Sequence, residues 1–439
     1  MSILFLQSPY SFLFRDLAVE LEKNNIDCYA LTFNLGDKYL YKGIEQIDIN
    51  KLIRTKKVVN IDKLELEEIL AIENYYTKKK EKILNEKLTD KEKNYFYLYT
   101  KVLEEIIKEK NIKLLVMQND TRWQHSLAIY LANKLDIDYL VFELGLFRPN
   151  TITIDSKGVN YNNSVPRKKE FYQNVDTGNK FDYKKIDSNT SELKRNLIVA
   201  KYMLYYRLGD LFAQNSIENK KIKLIDYFKR FFKTYISKPP KKTKIKNLPK
   251  NYIFVPFQVA NDSQTLVHSD FNNMLDFTTV VIEAVKKYNK NNLDNRMAIV
   301  FKEHPMDVGK VNYDKFYQKY SNNKDIIFVK EAQTKELIKD SKLIITINST
   351  VGIEALEMGK KVICLGRCFY AIEEIALQSN RIDLANDISY MLNKKLNRSL
   401  INNFLDYIKY EYQFEGNEYY YNQQQIKKIS QLILERLAS

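Results

Sequence analysis

The sequence predicts an α/β protein of two Rossmann-like domains facing a cleft, and three observations lead there. Its 439 residues exceed one ordinary domain and suit two of about 200. Short apolar runs of the parallel-strand kind alternate with amphipathic helical stretches in both halves. Polar clusters fall where those runs end, which is where open α/β sheets bind ligands. An apolar content of 45%, with eleven glycines and eight prolines, supports full cores and excludes a fibrous or disordered chain.

The first domain is placed at residues 1–218. Residues 2–9 read as a strand, 12–24 as an amphipathic helix and 27–33 as a second strand, a βαβ opening. The polar turn Phe33-Asn34-Leu35-Gly36-Asp37 follows, as a cleft-lining loop or an ordinary βα connection. Residues 51–110, rich in Lys and Glu at helical spacing, read as solvated helices covering the sheet. A strand at 113–117, the polar junction Gln118-Asn119-Asp120-Thr121-Arg122, a helix at 123–135 and a strand at 139–142 come next. That strand ends in Glu143-Leu144-Gly145-Leu146-Phe147-Arg148-Pro149, which makes Glu143 a candidate acid or base facing a cleft. Residues 151–167 show little regular pattern and are expected to form an ordered loop. Residues 191–213 form a long helix whose Tyr202, Tyr205 and Tyr206 have the spacing of core aromatics.

Residues 219–250 form a basic aromatic segment and linker. Between 220 and 250 lie twelve basic residues and one acid, Asp226, within a chain carrying 70 Lys and Arg against 55 Asp and Glu, net +15. Such a patch favours an anionic surface. No nucleic-acid module accompanies it, so a phospholipid leaflet is the favoured surface, with a solvated interdomain helix as the alternative. The second domain, 251–390, opens with a strand at 251–257 and continues with strands at 298–301, 326–329, 343–347 and 362–365. Residues from 371 onward are expected to be helical, and 391–439 to form C-terminal helices, with 407–421 crossing back to the first domain.

Three cysteines, Cys28, Cys364 and Cys368, are an odd number without zinc-ligand spacing, which points to free thiols in a reducing compartment. No apolar run approaches 18 residues and no basic, cleavable leader opens the chain, so a cytoplasmic protein, peripheral to the inner membrane, is expected.

Two signatures carry most of the chemistry. Lys302-Glu303-His304-Pro305 and Asn348-Ser349-Thr350-Val351-Gly352 each follow a buried-strand run, and the second opens a helix whose N–H groups and hydroxyls suit a phosphate. His304, held extended by Pro305, can donate to a phosphate oxygen or protonate a leaving phosphate. Glu354 can bind ribose hydroxyls or complement the helix dipole. If the sheets face each other, Asp262, in the loop at the end of the opening strand of the second domain, and Glu143 both reach the cleft, and paired carboxylates suit glycosyl transfer through an oxocarbenium-like transition state. Walker-type, nucleophile-elbow and Rossmann glycine motifs are absent from the sequence, which argues against NTPase, hydrolase and dehydrogenase chemistry.

The ordered set Phe33-Asn34-x-Gly36-Asp37, Asn119-Asp120-x-Arg122, Glu143-x-Gly145-x-x-Arg148-Pro149, Gln258-x-x-x-Asp262-Ser263-Gln264, His304-Pro305 and Ser349-Thr350 resembles the KpsS/KpsC family of capsule polysaccharide proteins, its KpsS-like members above all. The resemblance spans about residues 2–370. It implies a GT-B fold and a retaining glycosyltransferase that uses CMP-Kdo to form β-linked Kdo, with a lysophosphatidylglycerol-type acceptor at the inner membrane. On that resemblance Gln258, Lys302, His304, Pro305, Asn348, Ser349, Thr350 and Glu354 bind the donor. Asp262 is the nucleophile, with Asp120 as runner-up, and Glu143 serves the acceptor as base. Lys302, Arg122 or Arg148 neutralises the Kdo carboxylate, while Asn34 and Asp37 belong to the acceptor side. The related bacterial sialyltransferases carry two adjacent acids where this chain has only Glu143. No metal or cofactor is expected, because CMP leaves as a monophosphate. Other capsule-assembly enzymes are expected as partners, and nucleic acid is not. Two other readings stay open: transfer of another CMP-activated ulosonic acid to a saccharide, and a non-catalytic assembly scaffold.

Overall fold

The computed structural model describes every residue except 57–59, 176–177, 179–182, 184–185, 189, 212–247, 308–310, 312, 330–331 and 439, and the side chains of 210 and 211. The expected basic aromatic segment therefore lies outside the described residues, apart from 248–250.

The strands are β1 (Ser2–Phe5), β2 (Asp27–Thr32), β3 (Glu45–Asp48), β4 (Ile112–Gln118), β5 (Asp138–Leu144), β6 (Thr151–Asp155), β7 (Tyr252–Pro256), β8 (Ala298–Lys302), β9 (Ile326–Val329), β10 (Leu343–Thr346), β11 (Val362–Cys364), β12 (Leu377–Gln378) and β13 (Phe414–Glu415). They form one sheet in the order β13-β6-β5-β4-β1-β2-β3 and another in the order β12-β11-β10-β7-β8-β9. Every pair in the second sheet is parallel, and in the first only β5–β6 and β6–β13 are antiparallel. Parallel strands covered on both faces must be apolar on both, and β1, β7, β8, β10 and β11 are buried throughout. Each sheet lies between two apolar layers, Leu4, Leu115 and Met117 on one side of the first with Ile3, Leu114 and Val116 on the other. In the second, Ile253, Ile299 and Ile345 face one layer and Phe254, Val300 and Ile344 the opposite one. This is the two-domain, GT-B-like α/β architecture.

Several elements differ from expectation. Residues 151–155 are a strand rather than part of a loop, because Ile152 and Ile154 pair antiparallel with Leu144 and Phe142 of β5. The Phe33–Asp37 stretch is not an open turn: a helix, Leu35–Leu40, starts inside it, capped by Asn34. Glu45–Asp48 adds a polar edge strand with no apolar alternation to announce it. After Tyr370 the chain runs through turns and β12 before helix resumes at Leu384.

The chain crosses between the halves more than once. Val165 and Tyr172 pack into an apolar layer of the second domain with Phe404 and Ile408. The final helix, Gln423–Ala438, returns Ile426, Ile429 and Ile433 to the first domain against Leu13, Leu17 and Leu21. β13 pairs with β6 just before it.

Candidate active site

The C-terminal ends of both sheets line one cavity of about 350 Å³. From the second domain come Gln258, Asp262, Ser263, Gln264, His304, Asn348, Ser349, Thr350 and Arg367, and from the first Asn119, Glu143, Arg148, Tyr161 and Asn163.

On the second-domain side a polar hub fixes the wall. Gln258 and Asn348 bond reciprocally: Gln258 Nε2 donates to Asn348 Oδ1 at 2.9 Å, and the Asn348 backbone N–H donates to Gln258 Oε1 at 3.0 Å. Asn348 Nδ2 donates to the carbonyls of Gln264, Arg367 and His268 at 3.0, 3.3 and 3.4 Å. One buried amide thus ties the ends of β7 and β10 to the Asp262 loop, and each such bond is costly to leave unmade. Beyond it, Ser349 Oγ accepts from the Val351 N–H at 3.2 Å and opens the Val351–Glu357 helix. Gly352 is required next: a Cβ there would sit 2.2 Å from the Tyr370 hydroxyl, which donates to the Ser349 carbonyl.

Asp262 caps the short Ser263–Leu266 helix, its Oδ1 accepting from the Gln264 N–H and the Ser263 hydroxyl, both at 3.3 Å. Burial pushes its carboxyl above the ordinary range, while these donors and the nearby His304 pull it down. The Met306 N–H donates to His304 Nδ1 at 3.1 Å, which orients the ring.

On the first-domain side Asn119, in left-handed backbone at φ 65°, donates from Nδ2 to Glu143 Oε2 at 2.8 Å. The Leu144 N–H donates to Glu143 Oε1 at 3.0 Å. Behind Glu143 lies a second acid that sequence reasoning missed. Glu418, fully buried, accepts from Gln118 Nε2 at 3.0 Å through Oε2, while its Oε1 has no partner among the described residues. Burial first, and then the charge of Glu143, push its carboxyl up to about 8, with Arg148 and Arg122 opposing. The residue completes an acidic pair that no adjacent motif supplies, because the C-terminal crossing brings it in. Pairing of sequence-distant residues leaves no local signal.

The other expected site residues are not on the cavity wall. Asp120 is buried and accepts from the Val159 N–H at 3.1 Å and Asn162 Nδ2 at 2.9 Å, so it anchors the loop that carries Tyr161 and Asn163. Its carboxyl is pushed up to about 6, chiefly by burial. Gly158, at φ 147°, is the glycine this anchor requires, since a Cβ would fall 2.7 Å from Asp120 Oδ2. Asp37 is equally buried, accepting from the Phe33 N–H and Asn34 Nδ2 at 2.9 Å each, while Asn34 Oδ1 accepts from the Asp37 N–H at 2.9 Å. These two residues shape a helix start. Arg122 donates to Gln7. Lys302 is buried at the end of β8, its pKa lowered by burial and opposed by the Glu354 charge, and neither it nor Glu354 or Pro305 lines the cavity.

Arg367 and Tyr161 were also unforeseen. The Tyr161 ring has the Arg167 and Arg367 guanidiniums at 5.7 and 5.6 Å from its centroid. A lone tyrosine in a loop carries no motif, and only the fold shows this clamp.

The family model described as capsule polysaccharide biosynthesis protein matches residues 114–419. The chain belongs to that family. LipB of Neisseria meningitidis serogroup A, named a capsule polysaccharide modification protein, is 26% identical over 88% of this chain and 85% of that protein. KpsS of Escherichia coli, named a capsule polysaccharide export protein, is 25% identical over 63% of this chain and 73% of its own. Among solved structures, the KpsC β-Kdo 2,4 transferase of Thermosulfurimonas dismutans is 16% identical, covers 73% of this chain and 88% of that one, and gives a TM-score of 0.35.

Proposed function

We propose that this capsule polysaccharide biosynthesis protein is a retaining glycosyltransferase that moves β-Kdo from CMP-Kdo to a lysophosphatidylglycerol-type acceptor. The observation that supports it best is a single cavity that brings Asp262, His304, Ser349 and Thr350 from one domain to Glu143 and Arg148 from the other.

The donor phosphate lies against the Asn348-Ser349-Thr350 turn, and His304 donates to the oxygen on which charge develops. An Asp262 carboxylate oxygen attacks the anomeric carbon. The bond to the CMP oxygen breaks, that oxygen keeps the electron pair, and a covalent Kdo–Asp262 ester results. The acceptor hydroxyl then attacks the same carbon as Glu143 takes its proton, and Asp262 leaves as carboxylate. Two inversions give net retention. Arg148 answers the carboxylate of the sugar. No step requires a metal.

The test is mass spectrometry of product and protein after mixing purified chain, CMP-Kdo made in situ and lysophosphatidylglycerol. A lipid heavier by one Kdo is expected, with Asp262→Ala slower by about a thousandfold or more, the scale of losing a nucleophile. A Kdo adduct on Asp262 identifies the nucleophile. Transfer only from another CMP-ulosonic acid overturns the donor, and CMP binding without turnover of any donor overturns the enzyme.

A further inference from the structure

The Glu192–Leu211 helix has two apolar faces. The inner one carries Ile198 and Tyr202, which pack with Leu40, and the Tyr202 hydroxyl accepts from Gln7 and donates to Asp37, each at 3.3 Å. The outer one carries Leu193, Leu197, Leu204 and Leu208, exposed by 71, 53, 58 and 36%. At about 100° per residue their spacings align them in one stripe, opposite the buried face. The other described helices expose at most one large apolar side chain each. Lys194 and Lys201, both exposed, border one side of the stripe.

Contiguous apolar surface of this kind marks a contact face. Leucines in a row with lysines beside them fit an anionic phospholipid surface, the chains entering the acyl boundary and the ammonium groups staying among the headgroups. The sequence that follows favours the same partner, because soon after this helix in the chain comes a stretch of twelve basic residues and one acid, in a molecule of net +15. Gln7, touched by the inner face, also accepts from Arg122, three residues along the chain from the Asn119 that holds Glu143. The helix therefore covers the segments that follow β1 and β2, in the half of the molecule that supplies Glu143 to the cavity.

We propose that the Glu192–Leu211 helix docks on an anionic phospholipid bilayer through Leu193, Leu197, Leu204 and Leu208, setting the acceptor half of the cavity beside the membrane. This deepens the lipid-acceptor reading, on which its catalytic meaning rests, but docking is measurable without donor or turnover.

The test is co-sedimentation of the full chain with vesicles of phosphatidylglycerol and phosphatidylethanolamine, beside phosphatidylcholine vesicles. Wild type is expected on the anionic vesicles and to be weakened at about 0.5 M salt. The variant Leu193→Ser/Leu197→Ser/Leu204→Ser/Leu208→Ser is expected to lose partition by about tenfold or more while keeping its circular dichroism and CMP binding. Lys194→Glu/Lys201→Glu, which leaves every apolar contact in place, is expected to weaken binding to anionic vesicles alone. Wild-type-like partition of the leucine variant overturns the proposal, as does wild type that ignores anionic vesicles. A variant that turns a dimer into a monomer with vesicle binding intact assigns the stripe to a second copy and overturns it too. Intact vesicle binding without lipid transfer would sink the acceptor reading and leave the docking face standing.

Discussion

Glu418 has the most perturbed acid group beside the cavity, and its protonation bears on an anionic donor. With its carboxyl pushed up to about 8 by burial, it holds a proton at neutral pH and gains a charge next to Glu143 as pH climbs. The KM for CMP-Kdo is therefore expected to rise through that range in wild type and to stay level in Glu418→Gln, a readout that simple loss of structure would not give. The stability effect has a definite sign. The folded state binds the proton more tightly than the unfolded chain, so the contribution is full below the ordinary carboxyl range and is lost as pH rises through about 8. The urea midpoint of wild type should fall across that window, and that of Glu418→Gln should lose this slope. The sequence located Glu143, Asp262, His304 and the Asn348-Ser349-Thr350 turn as candidates because each sits past an apolar run, a local signal, whereas Arg148 entered through the family resemblance. Glu418 meets Gln118 across 300 residues, and no local signal reports such a meeting. Asp37 and Asp120 came from the same kind of signal but lie buried off the cavity wall, since a polar motif at a strand end looks alike whether its acid faces a cleft or holds backbone beneath one.

The Asn348–Gly352 turn shows how an element is built for close approach. At the start of its helix the Tyr370 hydroxyl donates to the Ser349 carbonyl, and Gly352 leaves room for that side chain. Gly352→Ala places a methyl group against the hydroxyl, so the turn or Tyr370 must move, at a cost of about 1–3 kcal/mol. Urea unfolding should show that loss, and calorimetric titration should show weaker CMP binding. Unchanged CMP affinity in a destabilised variant would remove the turn from the donor site. The parallel strands were legible because a strand covered on both faces must be apolar throughout. β6 was not, since Thr151, Thr153 and Asp155 alternate with only two isoleucines, and its partners are β5 and a two-residue strand from the far end of the chain. β3, polar and at an edge, has no pattern to read.

At the scale of the whole molecule the two halves meet through contacts of different kinds. On one side Val165, Tyr172, Phe404 and Ile408 pack in a shared apolar layer. On the other the contacts are polar. Tyr75 Oη donates to the Asn261 carbonyl at 3.0 Å, Lys82 Nζ to the Ser269 carbonyl at 2.5 Å, and Arg367 pairs with Glu73 at 2.8 Å. The last pair is nearly half exposed on both sides, so it contributes at most about 1 kcal/mol. The Tyr75, Lys82 and Glu73 contacts thus form a weak polar clasp between the halves, separate from the apolar layer. Asn261, in left-handed backbone at φ 63°, immediately precedes Asp262, so the clasp also bears on the proposed nucleophile. Tyr75→Phe combined with Glu73→Gln removes the Tyr75 and Glu73 contacts and no apolar one. The double variant should keep its melting temperature within about 2 °C, since both contacts are partly solvated. Its radius of gyration in small-angle scattering should grow, and saturating CMP should shrink it again. Transfer should slow several-fold with CMP affinity little changed, because the phosphate turn lies wholly in one domain while Asp262 loses its brace. An unchanged scattering profile with unchanged turnover would mean that the apolar side alone fixes the angle between the domains.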